Sequence, residues 1–316
     1  MLRPNLAVWR LLLLLLVSLA TTTSAYARPA DSALQAAAAQ AMAGQRGTAI
    51  VLDVASGRMR ASYRLDVAAR RLVYPGSSIK PFTLLALLQA GKLDGQTALM
   101  CKRPLTIAGH KLDCSHPDIK QPLDPAAALA YSCNSYFSQA ALRLTPEQLH
   151  DSLVRDGFTS STLLVPDEVA GQVELAQTPE QLQLQAIGEW GVKLTLLEMA
   201  RAYRQLALLQ SKHGSTLDPL FDGLLQSVAY GMGHNAQPQS SMKVAGKTGT
   251  AAATEGAWTH AWFAGYAPAG RPAVVVVVFL ERGHGGTDAA AVARAIFIGV
   301  AEEQTLPTEG GKGAPR

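Results

Sequence analysis

Val73-Tyr-Pro-Gly-Ser-Ser-Ile-Lys-Pro-Phe82 sets a serine and a lysine three residues apart, where a helix begins. Pro75 and Gly76 cannot carry that helix backwards, and Pro81 is tolerated near a first turn, whose N–H groups lack intrahelical partners anyway. The run Phe82 to Ala90 is almost wholly apolar and stops at Gly91, which reads as a buried helix with a glycine end signal. Ser77 therefore falls at a helix N-terminus with Lys80 on the same face, so the lysine amine can reach the serine hydroxyl. The free N–H groups and positive dipole end favour an oxyanion developing there. Ser77 is the candidate nucleophile and Lys80 its base.

Ser-x-x-Lys alone specifies little, since Ser240-Ser241-Met242-Lys243 repeats the pattern with no helix start around it. Order gives the first copy its weight: Ser132-Cys133-Asn134 follows it, and then Lys247-Thr248-Gly249-Thr250.

The chain has 316 residues, 48% of them hydrophobic, enough for one large domain or two small ones around a sizeable core. Arg3 and Arg10, the apolar run Leu11 to Ala20 and then Ala25-Tyr26-Ala27 make the three-part layout of an export signal, residues 1–27. That run is shorter than the roughly 20 residues needed to span a bilayer. An uncleaved signal acting as a membrane anchor is the alternative, and with no cysteine near the site a lipid anchor is not expected. A net charge of +4, two of whose basic residues lie in the signal, is too mild to argue for nucleic acid. Of the three cysteines, Cys101 and Cys114 flank a turn-rich loop and are expected to pair in an oxidising compartment, leaving Cys133 as a free thiol inside Ser-x-Asn. Cys101, His110, Cys114 and His116 also suggest a metal site, but export and the loop spacing favour the disulfide, so neither metal nor cofactor is expected.

Along the chain, an Ala-rich helix is expected over 28–46, capped by Asp31 and Ser32 and ended by the run Gly44 to Gly47. Thr48 to Asp53 and Arg58 to Tyr63 read as a hairpin about Ala55-Ser56-Gly57. Between Gly91 and Ser240 helix starts recur: Asp124-Pro125, Thr145-Pro146-Glu147-Gln148, and Thr178-Pro179-Glu180-Gln181 with the same capping-box layout. Thr195 to Leu208 is apolar at helical spacing. Trp258 to Ala267 and Ala273 to Leu280 read as a second hairpin, and Thr287 to Ala301 as a closing helix. The sequence Gly283-His284-Gly-Gly286 superficially suggests phosphate binding, but no Lys-Ser/Thr pair follows and it reads as a strand-to-helix turn. Met199, Trp190 and Trp262 are assigned to the core, and Trp258 is a candidate for a cleft mouth that the sequence leaves undecided. Strands, then helices, then strands again imply an α+β fold with one antiparallel sheet shared by the two ends of the chain. The expected domain spans 28–306, with a helical lobe inserted over about 92–240 and a loose tail at 307–316.

The three motifs in this order are those of penicillin-binding proteins and serine β-lactamases. The chain resembles the penicillin-binding protein transpeptidase domain over most of its length, in Tyr74 to Phe82, Ala130 to Phe137, Ile187-Gly188 with Thr195 to Ala200, Gly246 to Thr250, and Ala261 to Tyr266. The resemblance implies a five-stranded antiparallel sheet flanked by helices, an all-helical second lobe, and an active site between them. It implies that Ser77 attacks the carbonyl of a D-Ala-D-Ala peptide bond and that Lys80 takes its proton. From an ordinary value near 10.4, bringing an amine to about 7.5 costs roughly 4 kcal/mol, which burial and a second cation must supply. Lys247 is the candidate cation and carboxylate holder, Ser132 a proton relay and Asn134 a substrate-amide contact. Thr248 and Thr250 would pair with the peptide along a strand edge, with Gly249 allowing close approach, and the Ser77 and Thr250 N–H groups would form the oxyanion hole.

The implied partners are peptidoglycan stem peptides, β-lactams as covalent inhibitors and a separate glycan polymerase, with the chain in the periplasm or cell envelope. Too few residues precede Ser77 for another domain of typical size, so a stand-alone catalytic domain is expected and water becomes a plausible acceptor alongside an amine. A serine β-lactamase is the rival enzyme reading, with Glu189 and Glu198 as deacylation candidates by position only. A β-lactam sensor or cell-wall-binding domain is the non-enzymatic one.

Overall fold

The structure, a computed structural model, describes residues 29–305. The export signal and tail expected from the sequence lie outside the described residues. In chain order the elements are α1 Pro29–Ala41, β1 Gly47–Asp53, β2 Met59–Tyr63, α2 Leu65–Arg70, a 3-10 turn at Gly76–Ile79 and α3 Lys80–Gln89. Next come β3 Thr106–Ile107, β4 His110–Lys111, α4 Pro125–Ala130, α5 Asn134–Ala141, α6 Pro146–Arg155, β5 Gln172–Val173 and α7 Pro179–Ala186. They are followed by β6 Val192–Lys193, α8 Leu196–Gln210, α9 Asp218–Ala229, β7 Ala245–Ala252, β8 Thr259–Ala267, β9 Val274–Leu280 and α10 Ala290–Thr305.

The main sheet is buried on both faces, so its central strands are apolar throughout and successive side chains enter opposite layers. On β9, Val275, Val277 and Phe279 face the helical interior, while Val274, Val276, Val278 and Leu280 face the opposite layer. Strand β1 divides the same way, Ile50 and Leu52 inward and Ala49 and Val51 outward. The result is a five-stranded antiparallel sheet of order β2-β1-β9-β8-β7, as expected, in which Val51 pairs with Val276 and Lys247 with Ala264. Helices α1 and α10 pack on each other over the outer face, where Leu34, Ala38, Ile296 and Phe297 are buried. Helix α8 lies on the inner face and α3 runs through the larger core. No helix among the described residues is long and apolar enough to cross a membrane.

Asp124 and Thr145 cap their helices as expected, the latter through a complete box in which Gln148 reaches back to the Thr145 N–H. At Thr178 only half the box forms, because the Gln181 side chain turns to the N–H of Gln177 instead. Helix α1 ends at Ala41, short of the expected 46, with Gly44 (φ +76°) left-handed in the turn behind it. Helices α5 and α9, the short hairpin β3–β4 and the antiparallel pairing of β5 with β6 were not expected from sequence.

Candidate active site

The 3-10 turn carrying Ser77 seats directly against β7, the edge strand, and glycine makes the approach possible. A Cβ on Gly76 would lie 2.5 Å from the Thr250 carbonyl oxygen, and one on Gly249 would lie 2.5 Å from that of Pro75. The turn runs without a break into α3, whose end is closed by Gly91 in the left-handed region (φ +64°). Below it, the Tyr203 hydroxyl donates to the Ser78 carbonyl at 3.1 Å and the Ser78 hydroxyl to that of Pro75 at 2.7 Å. Ser77 itself stays partly exposed on this braced turn.

Lys80 and Lys247 are both completely buried. Lys80 Nζ donates to the Ser132 carbonyl at 2.7 Å and to Asn134 Oδ1 at 2.5 Å, and lies 3.3 Å from Ser132 Oγ. Lys247 Nζ donates to the same Ser132 Oγ at 2.8 Å and to the Thr248 carbonyl at 2.9 Å. The expected contact of the Lys80 amine with the Ser77 hydroxyl is not among these bonds; the amine turns to Ser132 and Asn134. One hydroxyl thus bridges two buried lysine amines. Burial pulls Lys80 down to about 8. Lys247 is held well below the ordinary lysine range, by burial first and by the Lys80 charge second.

Local chain geometry explains why Ser132 sits between the lysines. Helix α4 closes with the Ser132 N–H bonded to Leu129 and the Cys133 N–H bonded to Ala128, the paired end bonds that place the residue after the cap in the left-handed region. Glycine normally takes that position; here Ser132 does, at φ +56°. Cys133 then caps α5 by accepting the Tyr136 N–H on Sγ at 3.3 Å. Asn134 opens α5, its amide donating to the Leu112 carbonyl at 3.0 Å while its oxygen faces Lys80. Thr248, Gly249 and Thr250 lie on the outer strand β7, and Thr250 Oγ1 accepts the Gly285 N–H at 3.0 Å. All eight residues singled out in the three motifs, Ser77, Lys80, Ser132, Asn134 and Lys247 to Thr250, therefore gather where the turn, the α4–α5 junction and the sheet edge meet.

A family model described as the penicillin binding protein transpeptidase domain matches residues 41–298. The chain belongs to that family. Among its curated relatives, this transpeptidase-family domain is 25% identical over 263 residues to the probable peptidoglycan D,D-transpeptidase PenA of Neisseria flavescens, covering 71% of this chain and 62% of that protein. It is 27% identical over 270 residues to the peptidoglycan D,D-transpeptidase PbpA of Mycobacterium tuberculosis, covering 71% and 54%. The chain thus spans about half the length of the curated relatives it matches. In fold it resembles the D,D-transpeptidase domain of a peptidoglycan glycosyltransferase from Eggerthella lenta, with a TM-score of 0.74 at 24% identity over 87% of this chain and 82% of that one. It likewise resembles the transpeptidase domain of penicillin-binding protein 3 from Burkholderia pseudomallei, with a TM-score of 0.75 at 21% identity over 89% and 95%.

Two expectations need correction. Glu198 is no deacylation candidate: completely buried, it completes the Thr195 capping box and accepts the Gly171 N–H at 2.7 Å. Glu189 does lie in the field of Lys80, and burial pushes its carboxyl up to about 7. The cysteines form no Cys101–Cys114 disulfide: Cys114 Sγ stands between two others, 3.6 Å from Cys101 Sγ and 3.6 Å from Cys133 Sγ. His110 is exposed on β4, away from this group, and Cys133 takes the place assigned to it. Sequence reasoning also missed the segment 101–116, which braces the Ser-x-Asn motif through Leu112 and through the Lys102 N–H, bonded to Ser135 Oγ at 2.7 Å. Only the cysteine spacing hinted at it.

Proposed function

We propose that this domain is an exported penicillin-binding serine D,D-peptidase that acylates Ser77 with the D-Ala-D-Ala end of peptidoglycan stem peptides. The observation that carries the reading is the bridge Lys80–Ser132–Lys247 beside a partly exposed serine on a sheet edge. The curated relatives' name, peptidoglycan D,D-transpeptidase, supports the same reaction.

The peptide adds as a further strand on β7, with its carboxylate toward Lys247 and Thr248. Ser77 Oγ attacks the carbonyl of the penultimate D-alanine and its proton passes to the neutral Lys80 amine. The oxyanion sits between the Ser77 and Thr250 N–H groups, a stabilisation of which each donor supplies about 3 to 4 kcal/mol. When the intermediate collapses, the peptide C–N bond breaks and the departing amine takes a proton relayed through Ser132, leaving free D-alanine. The ester on Ser77 then passes its acyl group to an amine, giving a cross-link, or to water, giving a shortened peptide. Asn134 holds the acyl amide, and Lys80 again accepts the proton of the attacking group.

Incubating the purified domain with a stem peptide ending in D-Ala-D-Ala, with and without an amine acceptor, tests this. Release of D-alanine that disappears in Ser77→Ala is the expected result, and the ratio of joined to shortened product reports the acceptor. No release under either condition, from protein that still unfolds cooperatively, contradicts the reading.

A further inference from the structure

Cys101, Cys114 and His116 on the bracing segment and Cys133 inside Ser-x-Asn converge on one point. Their ligand atoms, three sulfurs and a ring nitrogen, all lie within 4.8 Å of one another. A tetrahedral zinc with Zn–S bonds of about 2.3 Å and Zn–N bonds of about 2.0–2.1 Å requires donors about 3.5 to 3.8 Å apart. The separations found are 3.6 Å for Cys101–Cys114, 3.6 Å for Cys114–Cys133 and 3.7 Å for Cys101 Sγ to His116 Nε2. We propose that Cys101, Cys114, Cys133 and His116 form a closed, structural Zn2+ site that positions the Ser-x-Asn motif.

The surroundings are those of a thiolate site. The Ser135 N–H points at Cys114 Sγ (3.4 Å) and the Tyr136 N–H at Cys133 Sγ (3.3 Å), both from the first turn of α5, whose dipole favours negative charge. Arg103 Nε lies 3.4 Å from Cys101 Sγ and supplies a positive charge against the single negative charge that three thiolates and a neutral imidazole leave around Zn2+. His116 Nδ1 is 2.7 Å from the Pro117 carbonyl oxygen and 2.9 Å from Arg103 Nη2; the tautomer that donates to Pro117 leaves the Nε2 lone pair toward the sulfurs, the usual orientation of a zinc-bound imidazole. Cys133 is fully buried, with His116 and Cys114 nearly so, and no position is left open for water or substrate. Three thiolates with one imidazole in tetrahedral array select zinc over the hard cations. Loading releases the thiol protons to solvent and changes no oxidation state.

The consequence reaches the active site because Cys133 lies between Ser132 and Asn134. Segment 101–116 holds little regular structure beyond the short hairpin β3–β4, and zinc joins it to the junction that keeps Ser132 left-handed between the two lysines. The four ligands are positioning residues, and none touches the reacting atoms.

The test uses the whole mature chain, prepared without added metal. Metal analysis should find one zinc per chain, and protein stripped by chelation should take up Co2+ with thiolate-to-cobalt charge-transfer and tetrahedral d–d bands. Zinc removal should lower Tm and slow acylation by benzylpenicillin, and zinc return should restore both, a reversibility that separates positioning from general damage. Cys101→Ser alters the most exposed ligand, so it should fold yet lose its metal to a chelator that leaves the wild type loaded. Absence of zinc together with a mass lighter by two hydrogens, marking a disulfide, would overturn the proposal. So would a reduced, folded apoprotein that takes up Co2+ without thiolate bands.

Discussion

Ser132 occupies a backbone position that glycine would fill at lower cost, and its hydroxyl is the reason: it contacts both the Lys80 and the Lys247 amine. Left-handed backbone costs a side-chain-bearing residue roughly 1–2 kcal/mol, and such strain persists where function holds it in place. Ser132→Gly and Ser132→Ala both remove the hydroxyl but differ in that cost. Ser132→Gly should therefore be more stable than Ser132→Ala by about 1 kcal/mol in thermal unfolding. Both should lose about a hundredfold or more in acylation rate, the usual size of a lost proton-transfer group. Equal stability of the two variants would contradict the assignment of strain. Lys80 gives a second prediction. With its amine at about 8, the neutral, proton-accepting fraction grows as pH rises, so acylation by benzylpenicillin should accelerate about tenfold per pH unit below 8 and level off above it. The folded value lies below the unfolded one near 10.4, so the folded chain binds fewer protons between about 8 and 10.4. Lys80 therefore lowers stability fully below 8, and that penalty eases as pH rises through the window. An acylation profile flat below pH 8 contradicts a lysine base.

At the scale of elements, the site depends on a short 3-10 turn lying flat on an edge strand. Gly249→Ala places a methyl group 2.5 Å from the Pro75 carbonyl oxygen, a backbone atom that can yield only by lifting the turn from β7. Overpacking of this kind costs about 1–3 kcal/mol, which a Tm lower by about 2–4 °C per kcal/mol would register. Acylation should fall further than stability predicts, because Ser77 and Thr250 part company; a variant with normal Tm and rate would show that the close approach is unimportant. Most elements were legible because each announced itself locally. The apolar runs of β1, β8 and β9, bounded by turn residues, and the Asp124 and Thr145 caps needed no tertiary information. Helix α5 was missed because its cap is the Cys133 sulfur, outside the usual oxygen caps, and α9 although Asp218-Pro219 repeats the start signal of α4. The half-formed box at Thr178 shows the limit of motif reading, since Gln181 had a competing backbone donor one residue upstream.

Over the whole molecule, the two ends of the described chain close on each other. Arg60 on β2 donates to Asp31 Oδ1 at 2.8 Å and to Glu303 Oε1 at 2.5 Å, tying α1 to α10 across the outer face of the sheet. Both acids are mostly shielded from water, so Arg60→Ala should cost about 1–3 kcal/mol in unfolding while leaving acylation unchanged, the network lying on the side of the sheet away from Ser77. A loss of acylation without loss of stability would contradict that separation. The sequence made the sheet shared by both chain ends and the gathering of the three motifs readable, because motif order survives folding. It did not reveal where Lys80 points or how the cysteines meet: each depends on residues far apart in the chain, Ser132 lying 52 positions from Lys80 and Cys133 lying 19 from Cys114. The proposed chemistry as a whole rests on Ser77. Following the intact mass of the mature domain after mixing with benzylpenicillin, beside Ser77→Ala, tests it directly. A single long-lived adduct that is absent from the variant is the predicted result, whereas no adduct, one that persists in Ser77→Ala, or one that clears quickly into hydrolysed drug would contradict a penicillin-binding D,D-peptidase acting through Ser77.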